Sequence, residues 1–310
     1  MTYWRDPDYI VAKFMLNIVG GLLIGFSFFK TPSTQQGTQN KLFSIFMATM
    51  ITGPGCLQLQ TIFIRLRTIY EIRERPRRMY TLSALVTSQI LVESPWNMLS
   101  SFIFFVGWYW TMGLPNARAS FTLLMYCVAF PLYTTTLAQA SAAMAPSVEM
   151  AGLVFMFLFS FVITFNGVLQ PFSLLGWWQW MYRLSPFTYI IEAILGQAIG
   201  NATISCSDVE YVVLQPPSGR TCGRYMNGYI SFAGGYLLDP EAAKDCRFCT
   251  TRTTDEYLAT MFNINYLHHW RNFGIVMAFV AFNTSAVYML SYIFANRKKL
   301  LGVRKSRSQL

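Results

Sequence analysis

The stretch TIYEIRERPRRMY, residues 68–80, separates two long apolar runs of the chain. Its charged residues are mostly basic, and two more arginines come just before it: Arg65, Arg67, Glu71, Arg73, Glu74, Arg75, Arg77 and Arg78. Short loops rich in arginine stay on the cytoplasmic side, because moving guanidinium groups across a bilayer is costly. Pro76 breaks a short charged helix that would otherwise run into the next span. The stretch therefore fixes the topology of the chain, either as a topogenic loop alone or also as a docking surface.

The composition is that of a membrane protein. Of the 310 residues, 54% are hydrophobic and only 12% are charged, whereas a soluble domain has roughly a quarter charged residues. The net charge of +10 comes largely from the amino end, the arginine-rich loop and the tail. That distribution indicates topology and attraction to anionic lipid head groups rather than nucleic-acid binding. We find no cleavable signal peptide, and residues 1–9 are expected to lie at the membrane surface.

The apolar runs predict an all-α, polytopic fold with six transmembrane helices, since about 20 apolar residues cross the hydrocarbon core. Residues 1–169 hold spans one to five, with a cytoplasmic loop at 65–80; residues 273–310 hold span six and a basic tail. The predicted spans are 10–29, 42–64, 95–110, 121–144, 150–169 and 273–294. Six spans place both termini in the cytoplasm, in agreement with the basic tail.

Several residues inside the spans carry specific expectations. Lys13 is expected to snorkel to the cytoplasmic interface, and Gly21 with Gly25 forms a pair of small residues that allows close helix packing. Gly53-Pro54-Gly55 predicts a kink in span two. Beyond it, Gln58 and Gln60 predict that this span faces the bundle interior, because amides at membrane depth need partners or a wet cavity.

Residues 81–110 are too long for one straight crossing. We expect an interfacial helix over 81–92, a division at Glu93-Ser94-Pro95, and the core of span three over 95–110. Glu93 is then near the inner boundary. It is either a functional carboxylate or, as we favour, part of an ion pair with the arginine-rich loop.

Residues 170–200 are apolar and aromatic, but Pro171, Arg183, Pro186 and Glu192 disfavour a crossing. The tryptophans of this region suit the membrane interface. We expect re-entrant or surface-lying helices that cap the outer side of the bundle.

Residues 201–272 form an extracellular loop. Asn201-Ala202-Thr203 is a glycosylation sequon, whereas the sequon at Asn283 lies inside an apolar run. The cysteines of the loop are Cys206, Cys222, Cys246 and Cys249. An oxidising compartment favours structural disulfides over a zinc or redox role, and four cysteines allow three pairings. We favour Cys206 with Cys249 and Cys222 with Cys246, because Cys246 with Cys249 closes a very small loop. The only histidines, His268 and His269, are adjacent and predict no metal site.

Several segments together resemble the membrane domain of fungal pleiotropic drug resistance ABC transporters, and in particular its second half. They are YWRDPDYIVAKFML (3–16), YEIRERPRRMY (70–80), VESPWNML (92–99), RLSPFTYIIEAILGQAIG (183–200), PPSGRTCGRYMNGYISFAGGYLLDP (216–240), CRFC (246–249) and DEYLATMFNINYLHHWRNFGI (255–275). The resemblance implies export of hydrophobic compounds across the plasma membrane by alternating access. It implies a coupling helix that contacts an ATPase domain, with Tyr70, Glu71, Arg73, Glu74 and Arg75 as its residues. It also implies that spans two and five line the substrate path, with Phe43, Met47, Met50, Phe155, Phe159 and Asn166 as candidates.

The sequence lacks the phosphate-binding loop of the family's ATPase domains. We therefore expect no ATP hydrolysis by this chain alone, no cofactor bound by it, and partners that supply the ATP and Mg²⁺ site and a second transmembrane half. An alternative is a truncated, non-transporting subunit that modulates full-length relatives. A membrane-embedded enzyme is disfavoured, since two adjacent histidines and Glu93 make neither a nucleophile-base pair nor a metal cluster. The sequence leaves open whether the substrate is a drug, a lipid or a sterol.

Overall fold

The structure is a computed structural model that describes residues 7–307, with side chains described for 7–296. Residues 1–6, predicted to lie at the membrane surface, and the basic side chains of the tail from Arg297 onward lie outside the described residues. The described chain is a helical bundle with a small disulfide-linked sheet at one end.

The α-helices of the described chain are α1 (Pro7–Ser27), α2 (Gln35–Met50), α3 (Thr52–Ile69), α4 (Leu82–Tyr109), α5 (Ala119–Leu124), α6 (Phe130–Met144), α7 (Val148–Thr164), α8 (Gln179–Leu184), α9 (Pro186–Ile199), α10 (Cys222–Ala233), α11 (Thr254–Phe262) and α12 (His269–Arg307). Single π-helical turns follow α3 at Tyr70–Glu74 and α5 at Met125–Ala129. Short 3-10 turns lie at Asn116–Arg118, Phe172–Leu174, Gly176–Trp178 and Tyr266–His268. The strands are β1 (Val212–Leu214), β2 (Tyr236–Leu237) and β3 (Cys246–Cys249).

The predicted helical membrane domain is confirmed. Among the described residues, five helical runs are long and apolar enough to cross a membrane: Pro7–Ser27, Gln35–Glu74, Leu82–Tyr109, Asn116–Met144 and Tyr266–Asn296. The remaining predicted span corresponds to α7, which has 17 residues and ends at Thr164 rather than at residue 169. That length is at the lower limit of the roughly 17–25 residues of a membrane-spanning helix.

The predicted division of residues 81–110 is wrong. α4 is one helix of 28 residues that begins after the capping residue Thr81 and continues through Pro95. Packing along α1 holds the segment helical across the proline. The hydroxyl of Ser94 also donates to the carbonyl of Ile90 at 2.7 Å, so this polar residue at the predicted boundary is satisfied within the helix.

The close packing predicted for Gly21 and Gly25 is confirmed in the contact between α1 and α4. A Cβ at Gly21 would lie 2.9 Å from the carbonyl oxygen of Phe104, and one at Gly25 would lie 2.9 Å from that of Gly107. Only glycine allows the two backbones to approach this far.

The helix of span two is interrupted near the predicted kink. The long run Gln35–Glu74 breaks at Ile51, between α2 and α3, and Pro54 occupies the first turn of α3. A proline in the first turn removes no intrahelical hydrogen bond, so α3 continues undisturbed.

Helix α9 lies inside the bundle, so the surface-lying alternative for residues 170–200 is wrong for this helix. It is buried at every position from Pro186 to Ile199 except Tyr189, and it packs on α12, α2 and α5. A helix that is apolar all round is typical of a core.

The outer loop contains a three-stranded antiparallel sheet, in the order β1-β3-β2, which the sequence did not predict. Its centre is β3, whose two cysteines form the favoured disulfides Cys206–Cys249 and Cys222–Cys246. The loop is joined to α2 by the Glu210 carboxylate, which accepts hydrogen bonds from the backbone N–H groups of Gln35 at 3.3 Å and Gln36 at 2.8 Å. The start of α2 and the outer loop therefore share one end of the bundle, opposite to Tyr70–Glu74.

Candidate functional site

The segment between α3 and α4 is held in shape by two tyrosines. Tyr70 is buried, with only 4% of its surface exposed. Its ring lies 5.2 Å from that of Tyr80, and its hydroxyl donates to the carbonyl oxygen of Tyr80 at 3.2 Å. The Tyr80 hydroxyl donates in turn to the carboxylate of Glu74. Burial and the adjacent Glu74 raise the pKa of Tyr80 to about 12.

Arg67 anchors the base of this segment to α6. Its guanidinium donates to the carbonyl oxygens of Ala142 at 2.9 Å, Ala143 at 3.1 Å and Ala145 at 2.7 Å, all at the carboxyl end of α6. Carbonyls in the last turn of a helix lack the usual intrahelical donors, although that of Ala142 also accepts from the N–H of Ala145 at 3.4 Å, and a cation there complements the helix dipole. In the sequence Arg67 is only one basic residue among many, because nothing local links it to a helix end 75 residues away.

The segment between α3 and α4 has an exposed surface that combines apolar and basic side chains. Ile72 is 70% exposed and Met79 is 66% exposed. With their neighbours they line a shallow cavity of about 400 Å³, made of Ile69, Ile72, Arg73, Glu74, Pro76, Arg77 and Met79. We call these residues the Ile72 surface. Large apolar side chains this exposed between cations are typical of a contact surface.

The five predicted coupling residues fall into two groups. Arg73 is exposed and belongs to the Ile72 surface. Tyr70 and Glu74 belong to the tyrosine contacts that hold the segment in shape. Glu71 and Arg75 are half-buried beside them, and the N–H of Arg75 donates to the carbonyl of Tyr70 at 2.8 Å, which closes the π-helical turn.

The six residues predicted to line the substrate path differ in burial and in their contacts. Phe155 and Phe159 are buried in α7, with their rings stacked 5.4 Å apart, and Phe159 contacts Phe187 of α9 at 5.9 Å. Met47 is exposed on α2, whereas Phe43 and Met50 are half-buried. Asn166 is buried beyond the end of α7, where its side-chain oxygen accepts a hydrogen bond from the N–H of Val168 at 2.9 Å. The structure thus brings the two phenylalanines together and gives Asn166 a turn-forming contact.

The two amides of α3 face opposite ways. Gln60 is fully buried, and its Nε2 donates to the hydroxyl of Ser141 at 2.7 Å, as expected for a residue in the bundle interior. Gln58 is exposed, together with Pro54 and Thr61 on the same face of α3. An amide turned to lipid is unfavourable, so this face of α3 is suited to a second protein surface or to water.

The predictions for Lys13 and Glu93 are wrong. Glu93 is fully buried and pairs with Lys13 of α1, not with the arginine-rich loop, and Lys13 is buried rather than extended to the interface. The hydroxyl of Tyr9 donates to Glu93 Oε1 at 2.6 Å, and Lys13 Nζ donates to the Tyr9 oxygen at 2.9 Å. The two charged side chains neutralise one another inside the bundle, because α1 packs along α4 at this level.

A small polar cavity lies beside this ion pair, at the break between α2 and α3. It has a volume of about 40 Å³, enough for one or a few water molecules. Its lining joins the break to four helices and includes Lys13, Asn17, Thr52, Gly55, Cys56, Asn97, Ser100, Pro131 and Thr134.

A second buried carboxylate, Glu192 of α9, was missed as a functional residue. Its Oε1 accepts from His268 Nδ1 at 3.0 Å and from the N–H of Asn265 at 3.3 Å. Its Oε2 accepts from Asn272 Nδ2 at 2.8 Å and lies 3.6 Å from Arg271 Nη2. The sequence feature that could have identified Glu192 is an acidic residue within an otherwise apolar segment. Within residues 7–296 no three His, Cys, Asp or Glu side chains are grouped to hold a metal ion.

Comparison with known proteins gives matches over nearly the whole chain. The model of the ABC-2 type transporter family matches residues 1–198, and that of the CDR ABC transporter family matches residues 250–303. The chain is 41% identical to the Brefeldin A resistance protein of Schizosaccharomyces pombe, over 94% of this chain and 20% of the relative. It is 40% identical to ABC multidrug transporter atrI of Aspergillus fumigatus, over 96% and 20%, and 39% identical to ATP-dependent permease PDR15 of Saccharomyces cerevisiae, also over 96% and 20%. The chain therefore spans only a fifth of the length of these relatives.

Proposed function

Since this chain belongs to the ABC-2 type transporter family, we propose that it is a membrane-spanning half of an ATP-driven exporter of hydrophobic compounds. Drugs, lipids and sterols are the substrate classes considered. Two relatives are named for multidrug transport or for resistance to brefeldin A, and a third is named an ATP-dependent permease. In this proposal ATP and Mg²⁺ bind to partner nucleotide-binding domains, and a second transmembrane half completes the pathway.

The observation that carries the proposal is the exposed Ile72 surface. It stands at the end of the helical run Gln35–Glu74, which is interrupted at Ile51 and reaches from one end of the bundle to the other. Arg67 and Tyr70 fasten its base to α6 and to the start of α4. In the proposal, an ATPase domain contacts Ile72 and Arg73, and its closure moves α3 and α6 together because Arg67 joins them.

The substrate path is proposed to run along the face of α2 and α3 that carries Met47 and Gln58. Both side chains are exposed in this half, and Gln58 is unsuited to lipid. Phe155 and Phe159 lie behind this face, so we propose that their packed rings form a gate. This packing would rearrange when α7 shifts. The polar cavity at Thr52 and Gly55 gives the break a wet lining in which helices can tilt.

The proposed orientation puts the Ile72 surface in the cytoplasm and the disulfide-linked loop outside the plasma membrane. The abundance of arginine at the first and the two disulfides of the second support it. Asn201 is exposed, and it is our proposed glycosylation site on the outer side, whereas Asn283 is buried in α12.

The proposal is tested in the natural polypeptide or complex that contains this chain, by measuring ATP hydrolysis together with export of a fluorescent hydrophobic dye. The variant Ile72→Ala with Arg73→Ala should keep basal ATP hydrolysis and surface expression. Its transport should fall about tenfold, which corresponds to the loss of about 1.4 kcal/mol of coupling contact. The matched control is Phe232→Ala with Arg220→Ala, which removes an exposed aromatic residue and an exposed arginine at the opposite end. Full transport by the test variant overturns the coupling role. Absence of transport in the unaltered protein, with its ATPase active, would favour a non-transporting subunit instead.

A further inference from the structure

A charged cavity at the disulfide-linked end of the bundle lies outside the proposed transport pathway. Its volume is about 430 Å³, within the usual range of small-molecule sites. It is bounded by α8, α9, α11 and the start of α12, and its polar lining includes Tyr182, Arg183, Tyr189, Glu192, Asn263, His268 and Arg271.

The cavity carries a net positive charge. Glu192 is the only acid in its lining, and two arginines face it. The carboxylate of Glu192 is already satisfied by His268, Asn265 and Asn272 as well as by Arg271. The carbonyl oxygen of Arg183 accepts a hydrogen bond from the Tyr189 hydroxyl at 2.7 Å, but its guanidinium makes no hydrogen bond or ion pair with any residue in the range 7–296. One guanidinium is therefore uncommitted and the other only partly committed, so the cavity is suited to an anion.

The depth of the cavity relative to the membrane is indicated by its neighbours. Trp180 lies three residues before Arg183 in the chain, Trp270 immediately precedes Arg271, and Trp177 and Trp178 lie just before α8; all four are exposed. Exposed tryptophans concentrate at the level of the lipid head groups. Because the outer loop covers this end of the bundle, the leaflet concerned is the one on the side of the disulfides.

We propose that Arg183 and Arg271 form a docking site for the phosphate of a phospholipid head group in that leaflet. Guanidinium groups bind phosphate through paired, charge-assisted hydrogen bonds, which suits two arginines on one cavity. Glu192 keeps Arg271 turned toward the cavity, and the apolar side chains of Ile264 and Ile275 continue the lining toward the acyl chains. The site is independent of the transport pathway, and it ties a lipid to the joint between α9 and α12.

The test is a native mass spectrometry titration of the detergent-purified protein that contains the chain. Three probes separate the sources of binding: dioctanoylphosphatidylcholine, dioctanoylglycerol with the same acyl chains but no phosphate, and inorganic phosphate. The variant Arg183→Gln with Arg271→Gln should bind the phospholipid at least about tenfold more weakly, since charge-assisted hydrogen bonds are lost. The control Arg220→Gln with Arg224→Gln removes two exposed arginines of the outer loop and should bind as the unaltered protein does.

Equal binding by the test variant and the control overturns the site. Equal binding of dioctanoylglycerol would assign the affinity to the acyl chains, and displacement of the phospholipid by inorganic phosphate alone would assign it to a soluble anion; either result overturns the proposal. Arg183→Gln alone leaves every contact of Glu192 in place, so it keeps the test valid if the double variant does not fold. It should still weaken phospholipid binding several-fold.

Discussion

The buried pair of Lys13 and Glu93 gives the sharpest prediction of stability. Glu93 is 0% exposed, and its Oε2 has no hydrogen-bond partner among the described residues. The variant Lys13→Met keeps the length of the side chain but leaves the carboxylate with Tyr9 as its remaining donor. Removing one partner of a buried ion pair costs about 3–5 kcal/mol. For a chain of this size that corresponds to a fall in Tm of roughly 10 °C.

The assay is thermal unfolding in detergent, followed by size-exclusion chromatography with fluorescence detection. Lys13→Met and Glu93→Gln should each be destabilised. The double variant should be more stable than the sum of the two effects predicts, because it has no isolated buried charge. Lys244→Met, an exposed lysine of the outer loop, is the control for loss of a positive charge. If Lys13→Met unfolds within about 1 °C of the unaltered protein, or if the two effects are additive, then the ion pair does not hold α1 to α4.

Two further predictions concern the ends of the bundle. Arg67→Met should destabilise the protein by about 2–4 kcal/mol, because three carbonyls at the end of α6 lose a charged donor. Arg67→Lys should have an intermediate stability. Thermal unfolding in detergent measures both variants, and an unchanged Tm for Arg67→Met would contradict the prediction. Although partial burial opposes it, hydrogen bonds from the backbone N–H groups of Ser207, Gln36 and Gln35 hold the pKa of Glu210 below its usual range. A group whose pKa is lowered on folding stabilises the fold above its unfolded pKa and loses that effect as the pH falls, so the outer loop should become more sensitive to an acid-tolerant protease below about pH 4.3. Glu210→Gln should be sensitive already at neutral pH and change less on acidification; an identical pH profile for both proteins would contradict the role of this carboxylate.

The parts of the fold that depend on local patterns could be predicted from the sequence. Long apolar runs indicated the membrane helices, and Gly53-Pro54-Gly55 indicated the break at Ile51 to within a few residues. The short spacing of Cys246 and Cys249 disfavoured one of the three disulfide pairings, and the structure has the favoured one of the two that remained. Each of these inferences needed only neighbours in the chain.

The errors all concern partners that are distant in sequence. Glu93 was assigned to the nearest cations, whereas its partner is 80 residues away on α1. The same acid and the adjacent Pro95 suggested a boundary, yet packing on α1 keeps α4 continuous. Glu192 was treated as an obstacle to membrane crossing, because its partners Asn265, His268, Arg271 and Asn272 lie 73 to 80 residues further along the chain. Whether a polar residue in an apolar run is satisfied depends on tertiary contacts, which a single sequence does not contain.

The break at Ile51 has a geometric consequence for the run Gln35–Glu74. The 16 residues of α2 make an arm of about 24 Å, and the 23 residues from Thr52 to Glu74 make one of about 34 Å, at 1.5 Å per residue. If α2 and α3 keep a fixed angle to one another and tilt about this point as one rigid body, the two ends of the run travel in opposite directions and in the ratio of the arm lengths. An inward step at Glu74 then becomes an outward step about 0.7 times as large at Gln35. The disulfide-linked loop receives that step directly, because Glu210 holds the backbone of Gln35 and Gln36.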